Sequence, residues 1–532
     1  MAAAAAAPVW SPSRSAAGKH SPWLIVAIIS IPTFMEVLDT SIANVALDHI
    51  SGGLSISSDQ ATWVLTSYLV ANAIIIPISG WLSDAIGRKR YFLLSIALFT
   101  FASLLCGLAP NIGTLVVARV LQGIGGGGLA PVEQSILADT FPPRQRGMAF
   151  AAFAIVVVVG PVLGPTLGGY IVEYSSWHWV FLINVPVGIA AWFAVKTFVD
   201  EPEQVKIDRD ERFKHGLRID YIGVILVVLG LGFLELVFDR GEREDWFASG
   251  FIVMAAIVAA VSLVSLVIWE LNHKDPVIDL KLLKNRNFAL TIGVMGVTGM
   301  ILFGTTQLIP QMLQQVLGYS SLDAGLALTA GGVATLIAVP FAGRLSGIVD
   351  VRLLLFPALL VQAFALWNMS HLTADIAFSD AAFARLFQAA ALPFLFVPIN
   401  AIAYVGLKQT QTAQASSLLN VARNLGGTIG ISFAQTHLAS GIQRHQTELV
   451  QTLSPLDPNY NDWMAKAGQA FGGQGDSTTP LAVLYSQVQR QAAMLGFLDV
   501  FRSMMIVVLV VAPLVLFMRS GKTGAAPPPG AH

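Results

Sequence analysis

The stretch that decides the fold is WLIVAIISIPTFMEVLDTSIANVALDHI, residues 23–50. It is apolar enough to enter a bilayer, and at about 1.5 Å per residue a helix of this length crosses a hydrocarbon core of roughly 30 Å. Two carboxyl groups, Glu36 and Asp39, nevertheless lie far from either end. An ionisable group at that depth costs about 2.5–3.5 kcal/mol, so it needs a partner, water or a bound proton. Residues three apart share a helix face, and we expect both carboxyls to line a polar cavity inside a helical bundle.

The composition of the chain is that of a polytopic membrane protein. Of 532 residues, 55% are hydrophobic and 12% are charged, whereas soluble domains have about 25% charged residues. The net charge of −1 and the lack of a basic arm give no reason to expect a nucleic-acid partner. The single cysteine, Cys106, excludes an intrachain disulfide.

Apolar runs of spanning length recur along the whole sequence. We place them at 23–48, 59–82, 91–109, 112–136, 148–171, 177–198, 219–238, 247–269, 288–312, 322–342, 353–371, 380–406, 413–437 and 497–519. They lack the two-residue alternation of a barrel, so the predicted fold class is all-α and integral to the membrane, with fourteen transmembrane helices. Lys and Arg concentrate in alternate connections, such as 88–90, and the positive-inside rule then puts both termini in the cytoplasm.

Two motifs occur twice in the chain. GWLSDAIGRKR at 80–90 is echoed by GRLSGIVDVR from Gly343, and ARVLQ from Ala118 by ARLFQ from Ala384. The separations, 263 and 266 residues, agree closely, which indicates two parallel six-helix repeats with two helices inserted between them. The predicted organisation is a tail 1–22, an N-terminal bundle 23–198, an inserted segment 199–287 (helices 219–238 and 247–269), a C-terminal bundle 288–519 with an external, partly ordered hairpin 438–492, and a tail 520–532.

The segment at 80–90 resembles the loop signature G-x-L-x-D-x-x-G-R-K/R of the major facilitator superfamily. Gly80 and Gly87 permit a tight backbone turn, and Asp84 can accept hydrogen bonds from a helix N-terminus or pair with an arginine. The resemblance implies that Asp84 and Arg88 form a conformational latch that steadies the outward-open state. An ordinary positive-inside loop is the simpler interpretation of the same residues.

Other stretches resemble the drug:proton antiporters of that superfamily. These are LDTSIANVAL at 38–47, ARVLQGIGGGG at 118–128 and GPVLGPTLGG at 160–169. LVFDRGEREDWF at 236–247 and DPVIDLKLLKNRNF at 275–288 are similar to the fourteen-helix EmrB/QacA subfamily. The likeness covers nearly the whole chain and implies the major facilitator fold, two six-helix bundles plus two inserted helices.

The subfamily's known activity gives the functional expectation. The resemblance implies a proton-coupled multidrug efflux transporter of the bacterial inner membrane that works by alternating access. Its partners would be hydrophobic drug-like molecules, protons, the bilayer, a periplasmic EmrA-like adaptor and an outer-membrane channel. The proton gradient would drive it, and no cofactor or metal is expected.

Proton coupling is assigned to Asp39, Glu36 and Arg119, whose charge pairing would alternate with protonation. The chain departs from the subfamily at position 36, where a glutamine is expected, so two carboxyls lie close together and do not both ionise cheaply. The structural alternatives are that Arg119 only ties two helices together, and that Glu36 is exposed to water or pairs with Arg119 only for stability.

The remaining candidates are structural or line the cavity. The antiporter motif is expected to let the two halves approach closely and bend, with plain small-residue packing as the alternative; it comprises Gly160, Pro161, Gly164, Pro165, Gly168 and Gly169. Polar and adaptable side chains suit a substrate cavity, namely Asn44, Gln122, Glu133, Gln134, Met300, Phe303, Gln307, Phe396 and Asn400. Glu133 and Gln134 are expected in the outer vestibule, with a polar contact between helices as the alternative for Gln134. Arg385 is expected near the outer interface, and Arg423 is expected to balance the charge of Asp84.

Two further functions fit parts of the sequence. A uniporter or proton-coupled transporter of one specific metabolite would have the same fold. A membrane-embedded enzyme using His49 or His178 is the other, but the sequence has neither an H-E-x-x-H motif nor a phosphate-binding loop.

Overall fold

A computed structural model describes residues 20–201, 220–273, 275–374, 378–408, 411–454, 456–471 and 478–518, and every regular element in them is helical. The predicted tail 520–532 lies outside these residues, as do most of the tail 1–22 and the linker residues 202–219.

Nine helices form the N-terminal bundle within residues 20–201. They are α1 (Pro22–Val45), α2 (Leu47–Leu54), α3 (Ser58–Ile86), α4 (Arg88–Gly107), α5 (Ile112–Gly126), α6 (Leu129–Thr140), α7 (Pro143–Tyr174), α8 (Trp179–Leu182) and α9 (Asn184–Phe198). Ser57 and Gln60 cap α3 reciprocally, which satisfies two backbone donors at its start. Gly87 ends that helix at φ 101°, a conformation that favours glycine, so the chain turns there into α4.

The inserted pair and the C-terminal bundle follow. They are α10 (Tyr221–Arg240), α11 (Gly250–Asn272), α12 (Arg286–Gln315), α13 (Ser321–Ser346), α14 (Val351–Met369), α15 (Phe378–Ala391), α16 (Pro393–Ala403), α17 (Thr412–Thr452), α18 (Pro458–Phe471) and α19 (Thr478–Val511). Short 3₁₀ turns cover Trp246–Ala248, Leu280–Lys284 and Ala512–Phe517.

Two predicted spans are interrupted. The run 112–136 divides into α5 and α6 at a glycine run, 125–128, where the backbone has no side chains to hold a single helix. The run 380–406 divides just before Pro393, whose ring starts a new helix because it lacks a backbone N–H.

Thirteen helices in the described residues are long and apolar enough to cross a membrane, so the chain is a multi-span membrane protein. The predicted span 413–437 lies in α17, which does not count among the thirteen because it is rich in polar residues. The count of fourteen and the cytoplasmic placement of both termini therefore stay predictions. Helix α17 also runs 15 residues past the predicted end of that span, into the stretch expected to form an external hairpin.

The two bundles meet through a reciprocal pair of helix contacts. Helix α3, the second span of the first bundle, packs on α17, the fifth span of the second; α7, the fifth span of the first, packs on α13, the second span of the other. Such an exchange is what a twofold axis between two parallel repeats produces. Helix α10 packs on α11, on α3 and on α17, so the inserted pair touches both bundles.

Candidate functional site

Asp39 is the centre of a buried polar network in the N-terminal bundle. Its Oδ2 accepts a hydrogen bond from Arg119 Nη1 at 2.6 Å. Its Oδ1 accepts from Gln122 Nε2 at 2.9 Å and from Asn184 Nδ2 at 2.6 Å. Both charged side chains are fully buried, so the protein itself supplies the counter-ion and the donors that water would otherwise provide.

Arg119 is fixed by more than its carboxylate partner. Its Nε donates to the carbonyl of Val64 at 2.9 Å, and its Nη1 also donates to Gln122 Oε1 at 2.7 Å. The guanidinium carbon lies 4.3 Å from the ring centroid of Tyr68 and 5.5 Å from that of Phe181. The Asp39–Arg119 pair thus ties α1 to α5, and α3 contributes through Val64 and Tyr68.

Glu36 belongs to a different environment from Asp39. Its Oε1 accepts from Tyr68 Oη at 3.0 Å and from Asn72 Nδ2 at 3.3 Å, and both donors are neutral. The alternative in which Glu36 pairs with Arg119 is wrong, because Arg119 forms its ion pair with Asp39 and Glu36 bonds Tyr68 and Asn72.

Glu36 lines a narrow cleft between the two bundles. The opposite wall comes from α17, through Asn420, Arg423 and Asn424, and the remaining lining is Asn72, Ile76, Gly126, Gly127, Ala130 and Pro131. The expectation that both carboxyls face one cavity is therefore wrong: Glu36 faces the cleft, and Asp39 is enclosed within its own bundle.

Two more ionisable groups lie at this junction. Glu133 is fully buried; Ser30 Oγ donates to its Oε1 at 2.6 Å, and its Oε2 has no hydrogen-bond partner among the described residues. Arg423 is buried on the C-terminal bundle, with Nε donating to Asn424 at 3.3 Å and Nη1 unpartnered in the described part of the chain. Ser30 is the ninth residue of α1, in the half of the helix that begins at the predicted cytoplasmic end, so the contact disagrees with the expected place of Glu133 in the outer vestibule.

Gln134 joins the two bundles directly. Its Oε1 accepts from Asn420 Nδ2 at 2.7 Å, and one turn further along α17 Asn424 Nδ2 donates to Asn72 at 3.4 Å. These contacts place Gln134 at the interface of α6 with α17, away from the outer vestibule.

The predicted cytoplasmic ends of the bundles are held together at the loop signature. Arg88 forms a buried ion pair with Asp139 and donates to Thr412 Oγ1 at 2.8 Å. Thr412 belongs to α17, so the arginine links the bundles. Asp84 lies in the last turn of α3. Arg88, which is assigned to the predicted latch, thus contacts Asp139 and Thr412, two residues that the sequence motif does not contain.

Backbone contacts close the same end. Ser417 Oγ donates to the carbonyls of Ile76 and Pro77 at 2.7 and 3.0 Å. A Cβ at Gly80 would lie 3.0 Å from the carbonyl oxygen of Ala413, so the glycine permits the close approach of α3 and α17.

Comparisons with known proteins agree with this architecture. The model of the Major Facilitator Superfamily matches residues 29–431. The chain belongs to the major facilitator superfamily. It is 36% identical over 500 residues to the probable multidrug resistance protein EmrY of Escherichia coli, covering 93% of this chain and 95% of that protein. It is 37% identical over 479 residues to the multidrug export protein EmrB of Haemophilus influenzae, covering 90% and 92%.

A solved structure supports the major facilitator fold independently. The proton:xylose symporter XylE bound to 6-bromo-6-deoxy-D-glucose matches with a TM-score of 0.58 at 15% identity, over 94% of this chain and 97% of that one. At this identity the likeness concerns the fold alone. The predicted all-helical major facilitator fold is confirmed.

The second major facilitator repeat preserves the arginine–glutamine pair without a carboxylate. Arg385 Nη1 donates to Gln388 Oε1 at 2.5 Å and to Thr305 Oγ1 at 2.9 Å, and Nη2 donates to Thr306 at 3.1 Å. Arg385 is only 1% exposed, so it is buried inside its bundle, and its depth near the outer interface stays a prediction. Threonine hydroxyls take the place that Asp39 has in the first repeat.

The antiporter motif packs mainly inside its own bundle. A Cβ at Gly160, Gly164 or Gly168 would meet α1, at Val37, Ser41 and Ile42 respectively. Contacts with the other bundle come from a different face of α7, where Val162 and Thr166 approach Gly332 and Gly325 of α13. Gly160, Gly164 and Gly168 therefore let α1 and α7 approach, whereas Pro165 of the same motif lies beside Gly325 of α13, on the face toward the other bundle. The expected bending of the motif stays a prediction. Pro161 and Pro165 lie inside α7, and a Cβ at Gly169 would meet nothing.

The apolar cavity candidates are mostly packed. Met300 and Phe303 face Gly430 and Gly427 of α17, and Phe396 is fully buried. Asn400 donates to the Phe396 carbonyl at 2.8 Å. Gln122 bonds Asp39, as described above, while Asn44 and Gln307 are exposed.

Several side chains that contact the assigned site residues do not stand out in the sequence. Tyr68, Asn72, Asn184 and Asp139 contact the assigned residues but come from other spans. Polar residues inside apolar runs are the signal that could have found Asn72 and Asn184. Nothing in the sequence says which of them face each other.

Proposed function

We propose that this protein exports hydrophobic, drug-like molecules across the bacterial inner membrane in exchange for protons. The relatives named for multidrug export and resistance support the substrate class. The major facilitator fold supports alternating access, in which a cleft between the bundles opens to one side at a time.

The observation that carries the proposal is the position of Glu36. It is a carboxyl on the wall of the cleft between the bundles, and within the described ranges its hydrogen-bond donors are two neutral groups. Asp39 instead has a charged partner and two amide donors, so its charge is compensated without a proton. We therefore assign the exchanged proton to Glu36 and a positioning role to Asp39 and Arg119.

Charge in the cleft gives the coupling a physical basis. Glu36 is on the N-terminal bundle, and Arg423, with an unpartnered nitrogen, is on the opposite wall. An ionised Glu36 attracts Arg423 and favours a closed cleft, whereas protonation removes that attraction. Protons entering from outside and drug entering from inside would then each favour release of the other.

A tripartite assembly is the second part of the proposal. Helix α17 has 41 residues, or about 60 Å at 1.5 Å per residue, and the hydrocarbon core is only about 30 Å thick. Its far end is held to α19, because Arg444 and His445 contact Asp499 at 2.5 and 2.8 Å. We propose that this projecting hairpin, 438–492, contacts a periplasmic adaptor that leads to an outer-membrane channel.

The direct test uses the purified protein in lipid vesicles that hold a proton gradient. Adding a panel of hydrophobic dyes and drugs should dissipate the gradient in proportion to the drug transported. Transport of a substrate that leaves the proton gradient unchanged would contradict the exchange, and transport of one metabolite alone would favour the specific-transporter alternative.

A further inference from the structure

Glu235 is a buried carboxyl that the exchange proposed above does not use. It lies on the inserted helix α10 and is 2% exposed. Its Oε1 accepts a hydrogen bond from Thr428 Oγ1 of α17 at 2.9 Å. The contact joins the inserted helix to the C-terminal bundle.

No basic side chain of the described ranges lies within 4.0 Å of this carboxyl. The charged groups on α10 and on the helices packed against it are Asp239 and Arg240 on α10, Asp59 and Asp84 on α3, Glu270 on α11, and Arg423, Arg444 and Glu448 on α17, which also carries the titratable His437 and His445. Arg240 is engaged elsewhere, with Asp59 at 3.3 Å and Glu244 at 3.2 Å. An ionised Glu235 would thus be a buried charge without a counter-ion, which is costly in a membrane-spanning helix.

The hydroxyl group of Thr428, which contacts Glu235, has one hydrogen but two acceptors to satisfy if Glu235 is ionised. Thr428 Oγ1 approaches both Glu235 Oε1 at 2.9 Å and the carbonyl oxygen of Asn424 at 3.2 Å. A hydroxyl carries one hydrogen, so it fully satisfies only one of two acceptors. With a proton on Glu235, the carboxylic acid donates to Thr428, and Thr428 donates to Asn424. When Glu235 is protonated, Thr428 Oγ1 therefore accepts from Glu235 and donates to the carbonyl of Asn424, so both of its short contacts are hydrogen bonds.

Besides packing on α11, α10 has polar contacts with the opposite bundle. One turn beyond Glu235, Asp239 accepts from Thr66 and Arg240 Nη1 donates to Thr62 at 3.0 Å, both on α3. A Cβ at Gly232 would lie 3.1 Å from Ile74 of α3. Charged and close-packed contacts therefore hold α10 to the N-terminal bundle, and among the described residues its side-chain hydrogen bond to the C-terminal bundle is the one through Glu235.

We propose that Glu235 is a second proton-binding carboxyl, which docks the inserted helix α10 on the C-terminal bundle while protonated and releases it when the proton leaves. Binding is the addition of one proton to the carboxylate, with Thr428 changing from donor to acceptor. The importance of this site for transport rests on the proton exchange proposed above, but proton binding at Glu235 is independent of it.

Infrared spectroscopy of the full-length protein in lipid nanodiscs, titrated from acid to alkaline pH, tests the binding directly. The wild-type protein should show a carboxylic-acid C=O band that Glu235→Gln removes and Thr428→Val shifts in frequency, because its hydrogen-bond partner is lost. Glu242→Gln is the matched control, an exposed carboxyl just beyond the same helix, and should leave the band unchanged. Identical spectra for the wild type and Glu235→Gln would overturn the proposal.

A distance measurement tests the docking and does not need transport. Nitroxide labels at the exposed positions Ile225 of α10 and Phe433 of α17 should move apart as the pH rises in the otherwise wild-type protein. Glu235→Gln, which stays neutral and still accepts from Thr428, should abolish the pH dependence. A distance that does not change with pH, or that changes equally in Glu235→Gln, would overturn the docking role. Failure of proton-driven transport in vesicles would instead contradict the proposed function and leave both readouts interpretable.

Discussion

Arg119 and Asp39 form a fully buried ion pair across two helices, with the guanidinium nitrogen 2.6 Å from the carboxylate oxygen. Each partner is the reason that the other is tolerated in a membrane-spanning helix. The pair lies beside the cleft between the bundles and does not line it. We therefore expect loss of either charge to lower the stability of the fold first.

Asp39→Asn should destabilise the protein by roughly 3–5 kcal/mol, because it leaves a buried guanidinium without a counter-ion. The thermal unfolding midpoint in detergent measures this. The double variant Asp39→Asn/Arg119→Gln should recover part of the loss, since neither charge then remains. Asp48→Asn, at an exposed position in α2, is the control. A double variant no more stable than Asp39→Asn would contradict the pairing account.

The antiporter motif contains its own matched pair of glycines. A Cβ at Gly164 would overlap Ser41 of α1, whereas one at Gly169 would meet nothing within 4 Å. Gly164→Ala should cost about 1–3 kcal/mol through overpacking, and Gly169→Ala should be neutral or stabilising by up to about 1 kcal/mol, because alanine favours helix. Unfolding in detergent compares the two, and equal effects would contradict the close contact of α1 with α7.

The predicted latch at the predicted cytoplasmic end can be loosened at a single hydroxyl. Thr412→Val removes the acceptor of Arg88 and the donor to Asp139 Oδ1, both on the other bundle, but keeps the Arg88–Asp139 ion pair. In a Cys106→Ala background, a cysteine at the buried position Ser417 should react about eightfold faster with a small maleimide, which corresponds to losing two interhelical hydrogen bonds of about 0.6 kcal/mol each.

The exposed Thr447→Val is the control for this latch experiment and should leave the labelling rate unchanged. If Thr412→Val also left the labelling rate at position 417 unchanged, the hydrogen bonding of Thr412 would not hold the bundles closed.

Adaptor binding by the projecting hairpin should be separable from transport by the rest of the protein. Replacing residues 453–477, which include α18, by a short Gly-Ser linker keeps the Arg444–Asp499 contact and the anchoring of Arg490 to the carbonyls of Val316 and Ala374. The variant should lose co-purification with the adaptor but keep transport in vesicles. Retained co-purification would exclude this segment as the adaptor contact.

Much of the fold could be predicted because lipid imposes it. A bilayer admits only helices and closed barrels, the sequence lacks the alternation of a barrel, and a repeated motif at one spacing indicates two bundles. Helix α17 was harder to predict, because its polar residues hide its continuation to Thr452 from a hydropathy criterion. The division of two predicted spans into shorter helices was also hard to predict. It occurs at a glycine run and at a proline, and glycines and prolines also lie inside the unbroken helix α7.

The site was less predictable than the fold. The sequence identified Glu36, Asp39 and Arg119 as side chains that are costly to bury in a membrane. Which carboxyl pairs with the arginine depends on which helices face each other, and the sequence does not say this. The same limitation applies to Gly160 and Gly164, since small residues predict a close contact without naming its partner. Glu235 stands in an apolar run just as Glu36 does, and the same argument from burial cost would have flagged it.

The assignment of the exchanged proton to Glu36 is the central claim, and one transport comparison tests it most directly. Wild type, Glu36→Gln and Glu173→Gln, an exposed carboxyl on α7, are compared in vesicles under two conditions: drug uptake driven by a proton gradient, and drug exchange without a gradient. Glutamine keeps the acceptor for Tyr68 and Asn72, so the fold should survive. The account predicts that Glu36→Gln loses gradient-driven uptake and retains exchange, while Glu173→Gln behaves as wild type. Gradient-driven uptake by Glu36→Gln at the wild-type rate would contradict it.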